Sequence, residues 1–330
     1  MTCIFDEFRQ WSTLESGFNS RLLDQIKVIA AIGKLIEDRG IENVFFLGDL
    51  FNSFSSSLPK SVYNAAYYFM KTLAERANLF VIVGNHDVWR GLHILDPYRE
   101  MENVNIVMGP ITNYAIEGHR VDMIPWGFEL PPRDKRGDVL MAHVEVKGAV
   151  MNATGIRTTD GITQSSLEGY KYVFLGHYHE RQILDVPHAD WAGYIGSVMQ
   201  INMSSSPDSK GVTLVEGTGE LSRTLEVSQI DVPSPRIWTR TIVAQEQVPE
   251  IVDLIKERDY WRLTVTEPDI KLPLFDHRVQ IEFDLKPKVE YRLEERVGES
   301  LKETVTRFIE GVETKVDRDL AIRLLDWVMQ

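Results

Sequence analysis

The stretches VFFLGD at residues 44–49 and VIVGNHD at residues 81–87 decide the fold of this 330-residue chain. Each is an apolar run that ends in a glycine followed by polar side chains. An unbroken apolar run of this kind is typical of a strand buried on both faces, as in parallel sheets. We therefore predict two buried strands, at residues 41–47 and 79–83, that each end at a polar turn.

Helical patterns lie before and between these strands. Leu22, Ile29 and Ile36 fall on one helical face, and Gly40 stands where a left-handed C-cap is expected. A second helix can open at Pro59. The alternation of strand and helix predicts stacked α/β layers.

Two further predicted strands also end in polar residues. Residues 139–142 run into His143, and residues 172–175 run into the sequence GHYH at 176–179. In open α/β sheets the ligand crevice lies beyond the carboxyl ends of the strands. We therefore expect one site, built from the polar residues that follow the four strands: Asp49, Asn85, His86, His143, His177 and His179.

These residue types indicate a metal-dependent reaction. Carboxylate, amide oxygen and imidazole ligands without thiolate suit Mn²⁺, Fe²⁺ or Zn²⁺. An aspartate can bridge two cations, and a cation pair stabilises both the attacking and the leaving oxygen of a phosphoryl displacement. Any one of these residues could equally be an ordinary loop residue, which is how we interpret His93, His119, His188 and His277. The set as a whole argues against that interpretation, because independent loop residues need not all follow buried strands.

Composition excludes several classes of protein. The 36 basic and 49 acidic residues give a net charge of 36 − 49 = −13, which argues against nucleic-acid binding by bulk positive charge alone. The single cysteine, Cys3, cannot form an internal disulfide framework. Because the sequence shows neither an export signal nor an apolar run long enough to span a bilayer, we expect a cytoplasmic protein without a membrane partner.

The sequence changes character after about residue 228. Residues 239–244, 262–266 and 279–285 read as strands and residues 249–257 as a helix, which predicts a small α+β unit. A highly charged segment follows. Beyond it, apolar residues at helical spacing predict two short amphipathic helices.

Several motifs, taken in order, carry a family resemblance. The sequences GD at 48–49, GNHD at 84–87 and GHYH at 176–179, with His143 between the last two, resemble the calcineurin-type metallophosphoesterase superfamily. The sequences GDLF at 48–51, DMIPW at 122–126, YIGS at 194–197 and KG at 210–211 resemble the nuclease subunit of the SbcCD type, including that of T-even phages. The likeness extends over nearly the whole chain.

The resemblance implies an α/β fold with three parts. These are a two-layered-sheet metallophosphoesterase domain at residues 1–228, a small α+β capping domain at 229–288 and a C-terminal helical segment at 289–330. The last part would bind a coiled-coil ATPase of the SbcC type. The apolar positions assigned to that contact are Leu301, Val305, Phe308, Leu320, Leu324 and Trp327.

The resemblance also assigns roles at the site, with two divalent metal ions as cofactors, which we expect to be Mn²⁺. Asp49 would bridge the two ions, and Asn85, His143 and His177 would complete one of them, while His179 would bind the other. His86 would contact the scissile phosphate and protonate the leaving oxygen, as suits a side chain that titrates near neutral pH, and Asp87 would orient its ring.

One motif of the family is missing from this sequence. The family begins with a strand that ends in Asp-x-His, and no such pattern precedes Asp49. The nearest candidate is Asp6, with Phe8 in place of the histidine. Either the motif lies upstream of Met1 or it is reduced to Asp6, and in both cases one metal lacks a ligand.

The implied function is that of a metal-dependent DNA exonuclease and endonuclease. It would act on double- and single-stranded DNA ends with the SbcC-type ATPase, as a homodimer, in recombination, repair or phage replication. Two alternatives stay open. One is a phosphoesterase for nucleotides or phosphoproteins, and the other is an assembly subunit impaired in catalysis. The terminal helices could also pack on their own domain instead of a partner.

Overall fold

The computed structural model describes residues 19–52, 58–206, 210–218, 224–255, 258–285, 300–311 and 317–328. Asp6 and Phe8 lie outside these ranges. The chain divides into two compact units, Met1–Phe283 and Asp284–Gln330. The helices in the described ranges are α1 (Ser20–Arg39), α2 (Lys60–Ala74), α3 (Val248–Leu254), α4 (Leu301–Gly311) and α5 (Arg318–Val328).

The strands of the first unit fall into several sheets. In chain order they are β1 (Asn43–Phe46), β2 (Asn78–Ile82), β3 (Val88–Trp89), β4 (Leu92–His93), β5 (Val104–Val107), β6 (Ile111–Ile116), β7 (His119–Ile124), β8 (Val139–His143), β9 (Tyr172–Gly176), β10 (Gln182–Ile183), β11 (Trp191–Tyr194), β12 (Val212–Thr218), β13 (Thr224–Ile230), β14 (Ile237–Ile242), β15 (Tyr260–Val265) and β16 (Val279–Phe283).

The first sheet is parallel and has the order β1-β2-β5. Helices α1 and α2 pack on it, and their apolar faces meet the side chains of Leu79 and Val81. Gly40 follows the last residue of α1, and its φ of 61° confirms the predicted left-handed cap. The strands predicted from the two opening stretches are thus β1 and β2. Strand β2 is buried after Asn78, as predicted, whereas every residue of β1 is only half-buried, so the prediction of full burial is wrong for β1.

The second sheet has six strands in the order β10-β11-β9-β8-β7-β6. Its central strands β11, β9, β8 and β7 run parallel, whereas the two edge strands pair antiparallel. Successive side chains of a strand point to opposite faces of its sheet, and the cores that they join show how the two sheets stack. Phe80 and Ile82 of β2 share one core with Met141 and Phe174 of the second sheet, while Leu140 and its neighbours on the other face form a separate core.

The main body is therefore a two-layered sandwich of sheets with helices outside the first layer, which confirms the predicted α/β class. Because β1 pairs parallel with β2, and β8 pairs parallel with β9, the polar residues that follow them lie at the carboxyl ends of the strands.

A smaller sheet completes the first unit. It has the order β14-β15-β16, is parallel, and packs against α3. These elements confirm the predicted strands and helix after residue 228. The sheet is joined to α1 by buried polar contacts, because the Tyr260 hydroxyl and the Arg278 guanidinium both donate to Asp24, at 2.6 and 3.0 Å.

The second unit contains α4 and α5, which contact each other and are linked by an ion pair of 2.7 Å between Lys302 and Asp326. Both helices of the predicted C-terminal segment are confirmed, whereas the boundaries at residues 228 and 288 stay predictions. No helix in the described ranges is both long and apolar enough to cross a membrane.

Candidate metal centre

The predicted site residues come together from both layers of the sandwich. Asp49 follows β1, and Asn85 to Asp87 form a single 3₁₀ turn after β2. His143 is the last residue of β8, and its register partner in β9 is the residue just before His177. Four strand ends therefore supply one cluster, as the sequence predicts.

The loops after β1 and β2 approach each other closely because a glycine separates them. A Cβ atom on Gly84 would collide with the backbone nitrogen and Oδ1 of Asp49, and would stand 2.8 Å from Cε1 of His143. Asp49 and His177 themselves have φ angles of 58° and 107°, which side chains with a Cβ rarely adopt. Strained backbone of this kind is common where a fold holds functional side chains in place.

The position of one ring hydrogen of His143 follows from its contact with the backbone. Its Nδ1 lies 2.6 Å from the carbonyl oxygen of Leu47, which can only accept, so Nδ1 carries a hydrogen. In the neutral ring Nε2 is then a bare acceptor. Nε2 nevertheless lies 3.0 Å from Oδ1 of Asn85 and 3.4 Å from Oδ2 of Asp49, which are acceptors too.

A second imidazole adds to this group of acceptors. His177 Nδ1 lies 3.0 Å from the same Asn85 oxygen. Asp49, His143 and His177 each place one ligand atom within 4.8 Å of the others. Acceptor atoms that converge with no hydrogen between them repel one another, and a bound cation removes that repulsion. Oxygen and imidazole ligands fit a divalent transition metal. The residues present therefore fit a metal ion.

The electrostatics keep these groups in their ligand forms. Burial alone would raise the pKa of Asp49, but its contacts with the His143 imidazole and with the backbone amide of His86 lower it to about 2. Burial, followed by the charge of His143, lowers the pKa of His177 to about 4. At neutral pH the first is a carboxylate and the second a neutral imidazole, and metals bind these forms.

His179 lies outside the tight cluster of three ligand atoms, although it is close enough to feel the charge of Asp49. Burial and the charge of Lys210 lower the pKa of His179 to about 4. Its carbonyl oxygen is held from two sides. Lys210, whose side chain is fully buried, donates to it at 2.8 Å, and the Ser197 amide donates at 3.1 Å. The structure thus leaves the separate assignment of His179 to another metal as a prediction.

His86 is half-buried beside the cluster. Its backbone amide donates to Oδ1 of Asp49 at 3.0 Å. Its imidazole makes no hydrogen bond to the part of the chain that the structure describes. The predicted role in protonating a leaving oxygen remains a prediction.

Asp87 needs a correction. The resemblance implies that it orients the His86 ring, but both of its carboxylate oxygens accept from backbone amides, those of Asp49 at 2.9 Å, Gly84 at 3.0 Å and Phe51 at 3.3 Å. Burial and the nearby charge of Asp49 raise the pKa of Asp87 to about 6. The structure shows that Asp87 ties the two loops together.

Aromatic rings around His177 were missed by the prediction of site residues. The Trp126 indole stacks on this imidazole with 5.1 Å between ring centroids and an interplanar angle of 22°, and Tyr178 meets it edge-on at 4.6 Å. The Tyr178 hydroxyl in turn donates to Glu145 at 2.5 Å. The sequence contains one indication of this contact: Trp126 is the last residue of the DMIPW motif, which begins in β7 and ends two residues after it.

Comparison with known proteins agrees with this geometry. The family model described as calcineurin-like phosphoesterase matches residues 20–181, which contain Asp49, Asn85, His143 and His177. No curated protein matches the chain. The family binds divalent metal ions, in keeping with the convergent acceptors. The chain therefore carries a calcineurin-like phosphoesterase domain, which implies metal-dependent hydrolysis of phosphoesters.

Proposed function

We propose that this chain is the nuclease subunit of a DNA end-processing complex, a metal-dependent phosphodiesterase that works with a coiled-coil ATPase of the SbcC type. The observation that carries the phosphodiesterase part is the convergence of Asp49, Asn85, His143 and His177 from four strand ends. The nuclease part is supported by the sequence likeness to SbcD-type subunits and by the exposed apolar positions of the terminal helices.

Two kinds of residue carry out the chemistry in this proposal. Asp49, Asn85, His143 and His177 would hold one divalent ion, which we take to be Mn²⁺, and His179 with Asp49 a second one. Bound divalent ions supply Lewis-acid stabilisation of phosphoryl oxygens and a more acidic water nucleophile. The chain itself fixes the ligands: Leu47 holds the His143 tautomer, and Trp126 and Tyr178 hold the plane of the His177 ring.

His86 has a different task. Its ring is next to the cluster but is not among the convergent ligand atoms, so it can donate a proton from a ring nitrogen to the departing ester oxygen. The backbone hydrogen bond from its amide to Asp49 keeps the residue beside the metal ligands. Proton donation by such a residue typically contributes a factor of about 10² to 10⁴ to the rate.

The chemistry is tested by comparing His86→Ala with the original protein on a linear duplex and on a phosphodiester without bases, methyl p-nitrophenyl phosphate. With added Mn²⁺ we expect cleavage of both by the original chain, and a kcat lower by about 100-fold or more in the variant, with unchanged Mn²⁺ binding by calorimetry.

His277→Ala, which replaces an exposed histidine on a turn, is the matched control and should behave like the original. Hydrolysis of mononucleotides or phosphopeptides without any action on DNA would favour the alternative phosphoesterase. Binding of the ATPase without any hydrolysis would favour the impaired assembly subunit. Loss of bound metal in His86→Ala would show that this histidine is a ligand.

The surface that we propose for ATPase binding consists of residues of the second unit. Leu301, Phe308, Leu320 and Leu324 are between 39% and 67% exposed, although they lie at amphipathic spacing in α4 and α5. Val305 is half-buried, and the side chain of Trp327 lies outside the described part of the chain. Apolar stripes of this kind are suited to a coiled-coil or helical partner.

Charge placed in the stripe should prevent the contact. We expect the double variant Phe308→Glu, Leu324→Glu to lose co-purification with the ATPase while it hydrolyses methyl p-nitrophenyl phosphate normally, because both side chains are exposed and their replacement costs the fold little. Leu274→Glu, which alters an exposed leucine in the first unit, is the control and should still co-purify. Full ATPase binding by the double variant would place the partner site elsewhere.

A further inference from the structure

A two-stranded hairpin grows directly out of the 3₁₀ turn that carries Asn85 and His86. Strands β3 and β4 pair antiparallel, with Val88 opposite His93 and Trp89 opposite Leu92. Arg90 and Gly91 form the two-residue connection with φ angles of 49° and 78°. A connection with two positive φ angles matches the twist of a hairpin, so the loop is a well-defined turn.

The two faces of this hairpin differ. Val88 packs against the core of the first sheet and its helices. On the other face Trp89 is 50% exposed and Leu92 is 60% exposed. The guanidinium carbon of Arg90 lies 4.4 Å from the centroid of the Trp89 ring, so a cation is stacked on the indole. The outward surface therefore combines an aromatic ring, an aliphatic side chain and a positive charge.

The hairpin is fixed to the metal centre at both ends. Val88 follows Asp87 in the chain, and the amide of Ile94 donates to the carbonyl oxygen of Asp87 at 3.0 Å, which closes the base of the hairpin. Trp89 is three residues from His86, so their Cα atoms are at most about 11 Å apart. At about 3.4 Å of rise per nucleotide in one strand, this distance corresponds to a few nucleotides.

We propose that the Trp89–Arg90 hairpin is a nucleobase-binding site: the indole stacks on a base next to the scissile phosphodiester, and Arg90 contacts a neighbouring phosphate. This inference rests on the proposed function, since it concerns the strand that the metal centre would cleave. The site is distinct from the residues that hold metal, and it would set which nucleotides are positioned for hydrolysis.

The charge of the chain supports stacking as the source of affinity. With a net charge of −13, the protein cannot hold a nucleic acid by its overall field. Base–aromatic stacking does not depend on that field and works for every base, because each has a planar π-face. A guanidinium beside the ring adds a local contact for the phosphate that precedes or follows the base.

The binding test uses a fluorescein-labelled single-stranded oligothymidylate with phosphorothioate linkages, which resist cleavage, and reads fluorescence anisotropy. We expect Trp89→Ala to bind it about 10-fold more weakly than the original chain, and Trp89→Phe, which keeps an aromatic face, to bind with most of the original affinity. Tyr67→Ala removes a side chain of matched exposure (52%) on α2 and should leave binding unchanged.

A second measurement locates the base. A series of oligonucleotides, each with one abasic position, should show weaker binding to the original chain at one position, and Trp89→Ala should lose that dependence. Equal binding by Trp89→Ala and the original, or an unchanged abasic profile in the variant, would overturn the proposal. Loss of ATPase co-purification in Trp89→Ala with normal oligonucleotide binding would overturn it as well and assign the hairpin to a protein partner.

The experiments can contradict the proposed function independently of the hairpin proposal. If the original chain hydrolyses neither DNA nor methyl p-nitrophenyl phosphate with Mn²⁺, the nuclease proposal is wrong, while the anisotropy comparison still decides whether Trp89 binds a base. If hydrolysis occurs and Trp89→Ala lowers kcat/KM equally on both substrates, the effect is not one of base binding and the hairpin proposal is wrong.

Discussion

Lys210 is a cation in a fully buried position, and such residues need nearby acceptors. Its acceptors are the carbonyl oxygen of His179 at 2.8 Å and the carboxylate of Glu180 at 3.5 Å. Burial lowers the pKa of Lys210, and Glu180 opposes that effect. Because Lys210 donates a hydrogen bond to the backbone of a proposed metal ligand, we interpret it as a positioning residue for His179.

This role makes a prediction about metal affinity. Lys210→Met removes the ammonium and leaves the His179 carbonyl with the Ser197 donors alone, so we expect Mn²⁺ affinity at the second proposed site, that of His179 and Asp49, to fall about 10-fold or more. Calorimetric titration with Mn²⁺ measures it. Tyr170→Phe removes one hydrogen bond of a side chain that is equally buried but bonded to Asp122, and should not change the titration. Unaltered Mn²⁺ binding by Lys210→Met would mean that His179 is held without it.

The sequence could not reveal the partners of Lys210 or Asp87. In both cases backbone groups are among the partners, the carbonyl oxygen of His179 for Lys210 and three amides for Asp87, and backbone groups are the same at every position. By contrast, the convergence of Asp49, Asn85, His143 and His177 was predictable, because it needs only the rule that parallel strands present their carboxyl ends at one edge. What the rule cannot give is the tautomer of His143, which depends on its contact with Leu47, 96 positions away.

At the scale of elements, the site depends on how closely the turn after β2 approaches the loop after β1. The predicted strands extended one residue beyond the ends of β1 and β2 because apolar residues, Leu47 and Val83, continue past the last paired positions. Those extra residues lead into the site. The strand order, with β1, β2 and β5 in one sheet and β8 and β9 in the other, was not predictable, since similar apolar runs fit either layer.

The close approach of these loops predicts the effect of one methyl group. Gly84→Ala would place its Cβ against Asp49, so the two loops must separate, and we expect the free energy of unfolding to fall by about 1–3 kcal/mol together with a loss of Mn²⁺ affinity. Gly109→Ala is the control, because nothing lies within 4 Å of the position that its added methyl group would take and its φ is not left-handed. Urea unfolding and metal titration of both variants provide the measurements. A Gly84→Ala protein with normal metal binding would contradict the close packing of the two loops.

At the scale of the whole first unit, a buried network joins residues far apart in the chain. Arg278 and Asp24 are 254 positions apart, and Tyr260 lies between them with the Arg278 guanidinium carbon 4.6 Å from its ring centroid. The sequence shows Asp24 only as a polar residue in an amphipathic helix. Asp24 is only 2% exposed because the small sheet packs on α1. The spacing of apolar residues in the sequence does not predict that contact.

The network should therefore hold the small sheet in place. Asp24→Ala leaves the Arg278 guanidinium and the Tyr260 hydroxyl without their shared acceptor in a buried setting, and breaking such a pair typically costs about 3–5 kcal/mol. We expect the free energy of unfolding to fall by about 3 kcal/mol and the transition to broaden as the small sheet detaches first. Urea unfolding followed by tryptophan fluorescence reports this, because Trp238 and Trp261 lie in that sheet. Asp38→Ala breaks an ion pair with Lys34 in which both side chains are mostly exposed, so the midpoint should not change. An Asp24→Ala midpoint equal to that of Asp38→Ala would mean that apolar packing alone holds the small sheet on α1.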